Sequence, residues 1–450
     1  MRPMVFLVPL GAALGLAACA QADPTPDTVT WYRDVAPVIA ERCAGCHVSG
    51  GIAPFSLDSY QAAAPMAASI VAAVDGGRMP PWGAVETDEC TPPSPWKGDE
   101  RLTDGEKQVL RDWADAGAPE GDAATATALP EAPSLDLDSP TLELHPSVGF
   151  LPEPGGDVFM CYSFDPGFTQ TEWLTGLQVL PGETAVVHHV LVAVDSSGAT
   201  ANETGWYACS GGGLGGADQL IGAWAPGGGP LIPPDGTGTR LEAGVRLVME
   251  VHYHPAGAAS FGEDATGFAL RLTEVAPLRE AVVSLIGNAD SAAAGLLLGE
   301  NDPGGRAVFK IPKDTAGHVE TMEFTVPSGG PYSIFQVGTH MHYVGVDMLA
   351  EVVHADPSPD EQETECLVQT PHWDFNWQRS YVYDASIDDL PQLRAGDTIR
   401  LRCTYDNVVT NPGVQQALAD AGATETSVVR LGETTLDEMC LIGAGLILPG

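Results

Sequence analysis

The chain has 450 residues, of which 44% are hydrophobic and 18% charged, so it is long enough for roughly two to four domains with sizeable cores. It carries 60 acidic and 20 basic residues, and the net charge of −40 disfavours electrostatic binding to nucleic acid or to anionic lipid. The 52 glycines and 37 prolines indicate many turns, as in β sandwiches.

The first residues, MRPMVFLVPLGAALGLAACAQA, have the pattern of a secretory signal: one arginine, a short apolar stretch and small residues at the end. The stretch is too short and too rich in glycine and alanine for a transmembrane helix. Its segment LAAC resembles a bacterial lipobox, which implies a signal peptide over residues 1–18, a lipid on Cys19 and a tether over 19–27. Ordinary cleavage after Ala20 or Ala22 is the alternative. We therefore predict an exported lipoprotein of the periplasm or cell surface, in contact with the membrane only through this lipid.

The cysteine count supports export. Nine cysteines in an exported chain imply an oxidising environment. Apart from Cys19 and a C-x-x-C pair, six remain: Cys90, Cys161, Cys209, Cys366, Cys403 and Cys440. Six cysteines can form three disulfides, and the sequence by itself allows about fifteen pairings.

A haem-attachment motif lies near the N-terminus. The segment ERCAGCHVSGG contains C-x-x-C-H at Cys43, Cys46 and His47, a spacing in which two thiols bind the vinyl groups of one haem c and the histidine ligates its iron. A thioredoxin-like redox pair and half of a zinc site are the alternatives. Downstream, GGRMPPWG resembles the axial-methionine loop of small bacterial c-type cytochromes, which implies Met79 as the sixth ligand. Met79 as a core residue is the other interpretation.

Local signals predict a helix that closes this N-terminal module. Thr103 and Glu106 form a capping box, and an apolar helical stripe follows it. The segment resembles the last helix of a small cytochrome c. We predict a small α-helical cytochrome c-like domain over residues 28–122. The alanine- and proline-rich stretch over 123–140 has no periodicity and is predicted to be a linker.

Beyond the linker, short alternating apolar runs are separated by glycine and proline turns, which predicts a mainly β fold. About 310 residues are too many for one ordinary sandwich. We therefore predict two jelly-roll-like β-sandwich domains, over residues 141–278 and 279–450. Between two of the predicted strands, DPSPDEQETE is interpreted as an exposed, solvated acidic turn rather than a metal site.

Three histidine pairs lie in apolar, strand-like segments: His188 with His189, His252 with His254, and His340 with His342. Residues i and i+2 of a strand face the same side, so each H-x-H can present two imidazoles to one ion. Adjacent histidines face opposite sides of a regular strand, so the first pair can share a metal only through a bulge or turned rings. We predict at least one metal site from these pairs.

The histidines do not by themselves identify the metal, because imidazole binds zinc, copper, iron and nickel alike. Near the C-terminus, TTLDEMCLIGAG adds Met439, whose thioether favours cuprous copper over zinc. Core packing is the ordinary role of a methionine in a strand. Both interpretations stay open on the residues alone.

The order of four motifs, H-H, V-H-Y, H-x-H and D-E-M-C, resembles the copper type II, ascorbate-dependent monooxygenases. That family includes peptidylglycine α-hydroxylating monooxygenase and dopamine β-monooxygenase. The resemblance covers roughly residues 141–450, and the segments DVFMCYSF and GAWAPGG are further similarities. It implies two coppers on separate sandwich domains that face each other across a solvent-filled cleft.

The resemblance also implies the ligands of both coppers. One site would consist of His188, His189 and His252, and the other of His340, His342 and Met439. In this family the second copper binds and reduces dioxygen, while the first holds another electron. His254 has no counterpart and is expected to be a non-ligand. The unpaired histidines are expected to be structural or on the surface: His145, His318, His354 and His372.

The resemblance implies one disulfide as well, between Cys403 and Cys440, which would hold the adjacent Met439 in position. The pairing of the other four cysteines is open. Our next choice is Cys161 with Cys209, which leaves Cys90 with Cys366 to clamp the cytochrome module to the second sandwich.

The chain departs from the family where its peptide-hydroxylating member holds the peptide carboxylate with an arginine, an asparagine and a tyrosine. Gly338, Leu441 and Gly443 stand there, and none can pair with a carboxylate as arginine does. A non-peptide, small or hydrophobic substrate is therefore expected.

The predicted function is a copper monooxygenase that uses dioxygen and an external electron donor. The fused haem c would pass the electrons to copper. The alternatives are a non-catalytic electron-transfer or copper-binding surface lipoprotein, and a sandwich protein whose histidines bind nothing.

Overall fold

The computed structural model describes residues 28–49, 53–130, 136–209, 214–255, 260–288, 295–299, 302–359 and 361–450. The predicted signal peptide, Cys19 and the tether lie outside these residues. Within them, the α-helices are α1 Ala36–Arg42, α2 Tyr60–Ala63, α3 Ala67–Asp75, α4 Asp104–Asp115 and α5 Pro412–Asp420. None of the helices that the structure describes has the length and apolar character needed to cross a membrane.

Most of the remaining described chain is β-structure. The strands are β1 Leu142–Leu144, β2 Val158–Phe164, β3 Glu172–Leu180, β4 Val187–Asp195, β5 Trp206–Ala208, β6 Gln219–Trp224, β7 Thr237–Leu241, β8 Arg246–Tyr253, β9 Gly267–Thr273, β10 Arg279–Asn288, β11 Lys310–Ile311, β12 Thr315–Thr325, β13 Tyr332–His340, β14 Gly345–Val353, β15 Thr364–Thr370, β16 Ser380–Val382, β17 Gln392–Leu393, β18 Thr398–Asn407, β19 Val429–Arg430 and β20 Cys440–Ile447. The predicted mainly β fold with helices near the N-terminus is confirmed at this level.

The helical module has a small core of its own, in which the Trp31, Ile39, Leu110 and Trp113 side chains are buried together. Its helix α4 begins with the predicted capping box. The Glu106 N–H donates to the Thr103 hydroxyl at 3.2 Å, and the Thr103 N–H donates to the Glu106 carboxylate at 2.6 Å. These bonds satisfy backbone donors that a helix start otherwise leaves free.

The first sandwich packs the five-stranded sheet β5-β2-β8-β4-β6 against strands β1, β9, β3 and β7. Alternate residues of the facing strands form its core, including Leu177, Ile221, Met249 and Phe268. This core places β4 and β8 side by side, so the histidines of both strands lie at the same end of one sheet.

The second sandwich packs the sheet β12-β18-β14-β15 against strands β10, β20, β13 and β16. Its core includes Phe335, Met348, Leu401 and Ile442. Strand β10 also pairs in parallel with β7, so one nine-stranded sheet runs through both sandwiches. The sequence did not predict that one sheet would run through both sandwiches. The two segments that pair, β7 and β10, each have the pattern of an ordinary strand.

The described residues contain three disulfides: Cys90–Cys366, Cys161–Cys209 and Cys403–Cys440. The Cys403–Cys440 pairing implied by the family resemblance is thus confirmed. The two further pairings that we chose are confirmed as well. Three disulfides indicate an oxidising, exported environment.

The segment between α3 and α4 lies on the second sandwich. The Trp96 ring stacks on Tyr383 with centroids 4.8 Å apart, and the Gly83 N–H donates to the Tyr381 hydroxyl at 3.0 Å. The Arg379 guanidinium forms two bonds with the Glu100 carboxylate, at 2.8 and 3.0 Å. Together with the Cys90–Cys366 disulfide, these contacts fix the helical module to the second sandwich instead of leaving it on a free linker.

Candidate metal centre

A β-bulge brings the adjacent histidines of β4 to one side of the sheet. In the pairing of β4 with β8, Val187 lies opposite Tyr253 and His189 lies opposite His252, so His188 is an extra residue on β4. A bulge of this kind re-aims side chains that would otherwise alternate across the strand. The bulge that His188 and His189 need in order to bind one ion together is therefore present.

The three imidazoles meet through the same ring atom. The Nδ1 atom of His189 lies 3.2 Å from Nδ1 of His188 and 3.3 Å from Nδ1 of His252. Imidazole nitrogens bound at about 2.0 Å to one tetrahedral ion are separated by roughly 3.3 Å. The three donors form one of two groups among the described residues whose ligand atoms all lie within 4.8 Å of one another. Their spacing fits a metal ion.

Neighbouring groups hold the rings in this orientation. The His252 ring, 1% exposed, binds the Asp157 carboxylate through Nε2 at 2.9 Å, which leaves Nδ1 to face the other two histidines. Such a carboxylate partner is common behind metal-binding histidines. Phe159 stacks on His252 with centroids 4.3 Å apart, and Phe375 stacks on His188 at 4.2 Å.

Burial keeps the cluster neutral. It lowers the pKa of both His188 and His189 well below the ordinary histidine value, and the nearby His252 adds to the shift. Neutral imidazole is the form that binds a metal ion. The site is therefore ready to accept a cation near neutral pH.

The second histidine pair is also oriented by partners on Nδ1. Nδ1 of His340 lies 2.7 Å from the Gln378 side-chain oxygen, and Nδ1 of His342 lies 3.1 Å from the Asp437 carbonyl oxygen. Both Nε2 atoms thus remain for an ion. Burial lowers the pKa of His340 to about 4 and that of His342 to about 3. Met439 is 6% exposed and lines the same cavity as the two rings.

Glu438, next to Met439, ties these ligand segments together. One carboxylate oxygen accepts the N–H groups of His342 and Met439 at 2.8 and 2.9 Å, and the other accepts those of Val344 and Gly345 at 3.0 and 3.2 Å. Burial raises the pKa of this carboxyl, and the four N–H donors oppose the shift. The side chain fixes the backbone that carries two of the three predicted ligands.

The two histidine sets adjoin each other. The ring centroids of His189 and His340 lie 6.0 Å apart. This corrects the expectation, drawn from the family resemblance, of two sites facing each other across a solvent-filled cleft. Direct contacts between the sandwiches hold the sets together, including the stacking of Phe375 from the second sandwich on His188.

A buried polar network spans the same interface. The Asp157 carboxylate accepts from the Thr435 N–H at 2.8 Å and contacts Nδ1 of His254 at 2.8 Å. Nε2 of His254 lies 3.1 Å from the Tyr343 hydroxyl, which donates to Asp420 at 2.9 Å. Burial lowers the pKa of His254, but its bonds to Asp157 and Asp420 raise it by more. Carboxylates and Tyr343 contact both ring nitrogens, which agrees with the expectation that His254 is a non-ligand.

A cavity of about 280 Å³ opens beside both histidine sets. All three parts of the described chain contribute to its wall: Trp82 and Lys97 from the helical module, Leu191 and Trp224 from the first sandwich, and Gln336, Arg379 and Leu441 from the second. Gly338 and Gly443, the positions at which the chain departs from the peptide-hydroxylating enzyme, line it too. The site can therefore hold a small molecule next to both predicted ions.

The haem motif forms a compact turn after α1. The His47 N–H donates to the Cys43 carbonyl at 2.9 Å, and Nδ1 of His47 lies 3.0 Å from the Phe55 carbonyl oxygen, which leaves Nε2 for an iron. Cys43 and Cys46 are not joined in a disulfide, so both thiols remain for thioether bonds. Met79 follows α3 and precedes the docked segment. Cys43, Cys46 and His47 thus keep the atoms that a covalent haem would use, and the haem with Met79 as its ligand remains a prediction.

The unpaired histidines lie away from this centre. His145 and His372 are exposed, and His318 binds the Glu320 carboxylate at 2.9 Å. His354 is buried. Sequence reasoning missed the supporting residues Asp157 and Glu438. A signal existed for both, since Asp157 begins DVFMCYSF and Glu438 lies in D-E-M-C.

We expect Asp157→Asn to weaken metal binding at the three-histidine cluster by about 10- to 100-fold, because the amide presents a weaker acceptor to His252. Cupric ion titrated into the protein and followed by electron paramagnetic resonance measures this loss. Asp165→Asn on the same sandwich is the control, and an unchanged affinity and spectrum in the Asp157 variant would show that the carboxylate does not support the site.

We expect a His188→Ala/His189→Ala double variant to retain one of two bound coppers, because it loses two of three ligands at one cluster. Metal analysis after dialysis gives the count. The absorption spectrum of any attached haem should not change, since the helical module lies on the other sandwich. A His145→Ala/His318→Ala variant is the matched control. Two coppers retained in the double variant would contradict the ligand assignment.

Comparison with known proteins supports the assignment of the second histidine set to a copper site. Residues 307–442 match the family described as copper type II ascorbate-dependent monooxygenase, C-terminal domain. The matched range includes His340, His342 and Met439 and spans under a third of the chain, while the three-histidine cluster precedes it. No curated protein sequence matches the chain.

Two solved structures show only distant similarity. The N-terminal CBM22-1-CBM22-2 tandem domain of Xyn10C from Paenibacillus barcinonensis is 9% identical over 66% of this chain and 80% of its own, with a TM-score of 0.18. A protein from Eubacterium rectale that is described as secreted is 10% identical over 65% and 69%, also with a TM-score of 0.18. Neither supports an argument about fold or function. The family match places the second histidine set in a segment similar to the C-terminal domain of copper monooxygenases.

Proposed function

We propose that the protein is a copper-dependent monooxygenase that hydroxylates a C–H bond of a small, apolar, non-peptide substrate. The convergence of three neutral imidazoles on one point, with Nδ1 atoms 3.2 and 3.3 Å apart, carries this proposal. The similarity of residues 307–442 to a copper monooxygenase domain supports it. The reaction would consume dioxygen, two electrons and two protons, and release the alcohol and water.

The two donor sets would hold two copper ions, which supply one-electron transfer and dioxygen chemistry when bound. His188, His189 and His252 offer three imidazole nitrogens, which are donors of borderline softness. His340, His342 and Met439 offer a thioether in addition, which favours the cuprous state. The protein's own part is to orient these rings through Asp157, Gln378 and the Asp437 carbonyl and to shape the cavity beside them.

The cavity wall supports an apolar substrate. Trp224, Leu191 and Leu441 contribute apolar surface next to His340. Two cations line this cavity: the Glu100 carboxylate neutralises Arg379 through two bonds, and Lys97 is the other. A peptide carboxylate would therefore find no unpaired guanidinium. This agrees with the glycine and leucine residues that replace the peptide-holding side chains.

We further propose that a haem c on Cys43, Cys46 and His47 passes electrons from an external donor to the copper ions. The helical module is fixed next to the cavity, where its Trp82 lies against Arg379 with the guanidinium carbon 4.9 Å from the ring centroid. A covalent haem there would stay close to the centre without a flexible linker. Lipidation of Cys19 would hold the protein at the periplasmic side or cell surface.

The proposed function predicts rapid dioxygen consumption by reduced, copper-loaded protein when an apolar substrate is present, with hydroxylated product found by mass spectrometry. Met439→Leu preserves side-chain size but removes the thioether, so we expect weaker cuprous binding at one site and loss of hydroxylation. Met348→Leu, in the core of β14, is the matched control. Substrate-independent dioxygen consumption, or full activity of the Met439 variant, would favour a non-catalytic copper protein.

The cavity predicts a separate effect on substrate binding. A Cβ added at Gly443 comes no closer than 4.0 Å to any neighbouring atom, so Gly443→Leu should fit the strand and fill part of the cavity. We expect KM for a bulky substrate to rise at least about 10-fold, with two coppers still bound. Steady-state kinetics and metal analysis test this. An unchanged KM would place the substrate elsewhere.

A further inference from the structure

His354 is a buried histidine of the second sandwich that belongs to neither predicted copper site. The residue follows β14 and is 4% exposed. Its Nε2 atom is one of two buried side-chain nitrogen or oxygen atoms in the described chain that have no hydrogen-bond partner. A buried polar atom without a partner is costly and calls for an explanation.

The other ring nitrogen is firmly held. Nδ1 of His354 lies 3.1 Å from the Asp397 carboxylate. Asp397 is itself buried and accepts the N–H groups of Ala355 and Arg394 at 3.0 and 2.9 Å. This is the arrangement of a metal-binding histidine, in which a fixed carboxylate sets the ring and leaves the second nitrogen as the donor.

Two carboxylates face the unpartnered nitrogen. The Glu365 Oε2 atom lies 3.5 Å from Nε2 of His354, and the Glu361 Oε1 atom lies 3.8 Å away. Both distances exceed the range of an ordinary N–H···O bond, which ends near 3.2 Å. Two ligands of one divalent ion, each about 2.0–2.2 Å from it, lie roughly 3.3–3.6 Å apart when tetrahedral. The separation from Glu365 matches that value.

Charge favours a cation at this point. Three acidic side chains, those of Glu361, Glu365 and Asp397, surround His354, and Arg394 is the basic group paired there, with bonds of 2.7 and 2.9 Å to Glu361. The acidic groups outnumber the basic one. The Glu361 and Glu365 side chains are 22% and 27% exposed, so water can reach the ion and complete its coordination.

We propose that His354 Nε2 and the Glu365 carboxylate bind a divalent transition-metal ion of the zinc class. Glu361, held by Arg394, would accept a hydrogen bond from a metal-bound water. A nitrogen donor beside carboxylates suits zinc, whereas calcium and magnesium prefer oxygen ligands. The ion would join the segment after β14 to the start of β15. The acidic turn that the sequence suggested to be merely solvated therefore contributes to a site.

This proposal does not depend on the proposed function, because none of its residues belongs to the copper centre or to the cavity. The test uses zinc ion alone as the probe, with the full-length protein first loaded anaerobically with two equivalents of cuprous copper. Soft cuprous ion disfavours a histidine–carboxylate site and leaves it open. Excess magnesium occupies weak surface carboxylates, which matters for a chain of net charge −40.

Zinc uptake is measured by equilibrium dialysis, and its effect on stability by thermal unfolding. We compare wild type, His354→Gln, Glu365→Gln and the control His318→Gln, whose ring makes an ordinary 2.9 Å bond to Glu320. Wild type and the His318→Gln control should each bind one equivalent of zinc more than His354→Gln and Glu365→Gln. Their melting temperature should rise by about 2 °C or more with zinc, and that of the other two should not.

Circular dichroism checks that each variant is folded. Glu365→Gln changes a partly exposed side chain and keeps the test valid if the buried His354 variant does not fold. Equal zinc uptake by all four proteins would place the ion elsewhere on the acidic surface and overturn the proposal. So would the absence of zinc uptake by the copper-loaded wild type.

Discussion

The arrangement of the candidate centre depends on one carboxylate, that of Asp157. Asp157 directly precedes β2 in the first sandwich, binds His252 and His254 there, and accepts two bonds from Thr435 of the second sandwich. A buried carboxylate with these partners is stabilised, whereas one without them would be costly. The orientation of one histidine cluster is therefore linked to the contact between the sandwiches.

In the second sandwich, Glu438 has the role that Asp157 has in the first: it holds the residues of a predicted copper site in position. Its carboxylate gathers four backbone N–H groups from the two segments that carry His342 and Met439, and the Cys403–Cys440 disulfide fixes the next residue to β18. Both donor sets are thus built by buried polar groups before an ion binds. Preformed geometry reduces the ordering that an ion must impose and favours binding at a defined position.

The helical module is part of the same construction. The Cys90–Cys366 disulfide, whose cysteines are 276 residues apart in the chain, and the Trp96–Tyr383 stack place Trp82 in the cavity wall beside the second sandwich. The cavity therefore needs all three parts of the molecule. A pocket assembled in this way can change its substrate through any one part while the metal ligands stay in place.

The sequence by itself indicated which residues could bind a metal and which local structures carry them. The histidine pairs, the need for a bulge at His188 and the capping box of α4 follow from spacing and residue chemistry within short segments, whereas Met439 as a ligand is implied by the family resemblance. Only the tertiary structure decided how those segments are arranged relative to one another. The 6.0 Å approach of His189 to His340, the sheet continued by β7 and β10, and the support from Asp157 depend on packing between distant parts of the chain. Strand periodicity fixes the side to which a residue points, but not which strand lies opposite, because the latter is set by the burial of whole faces.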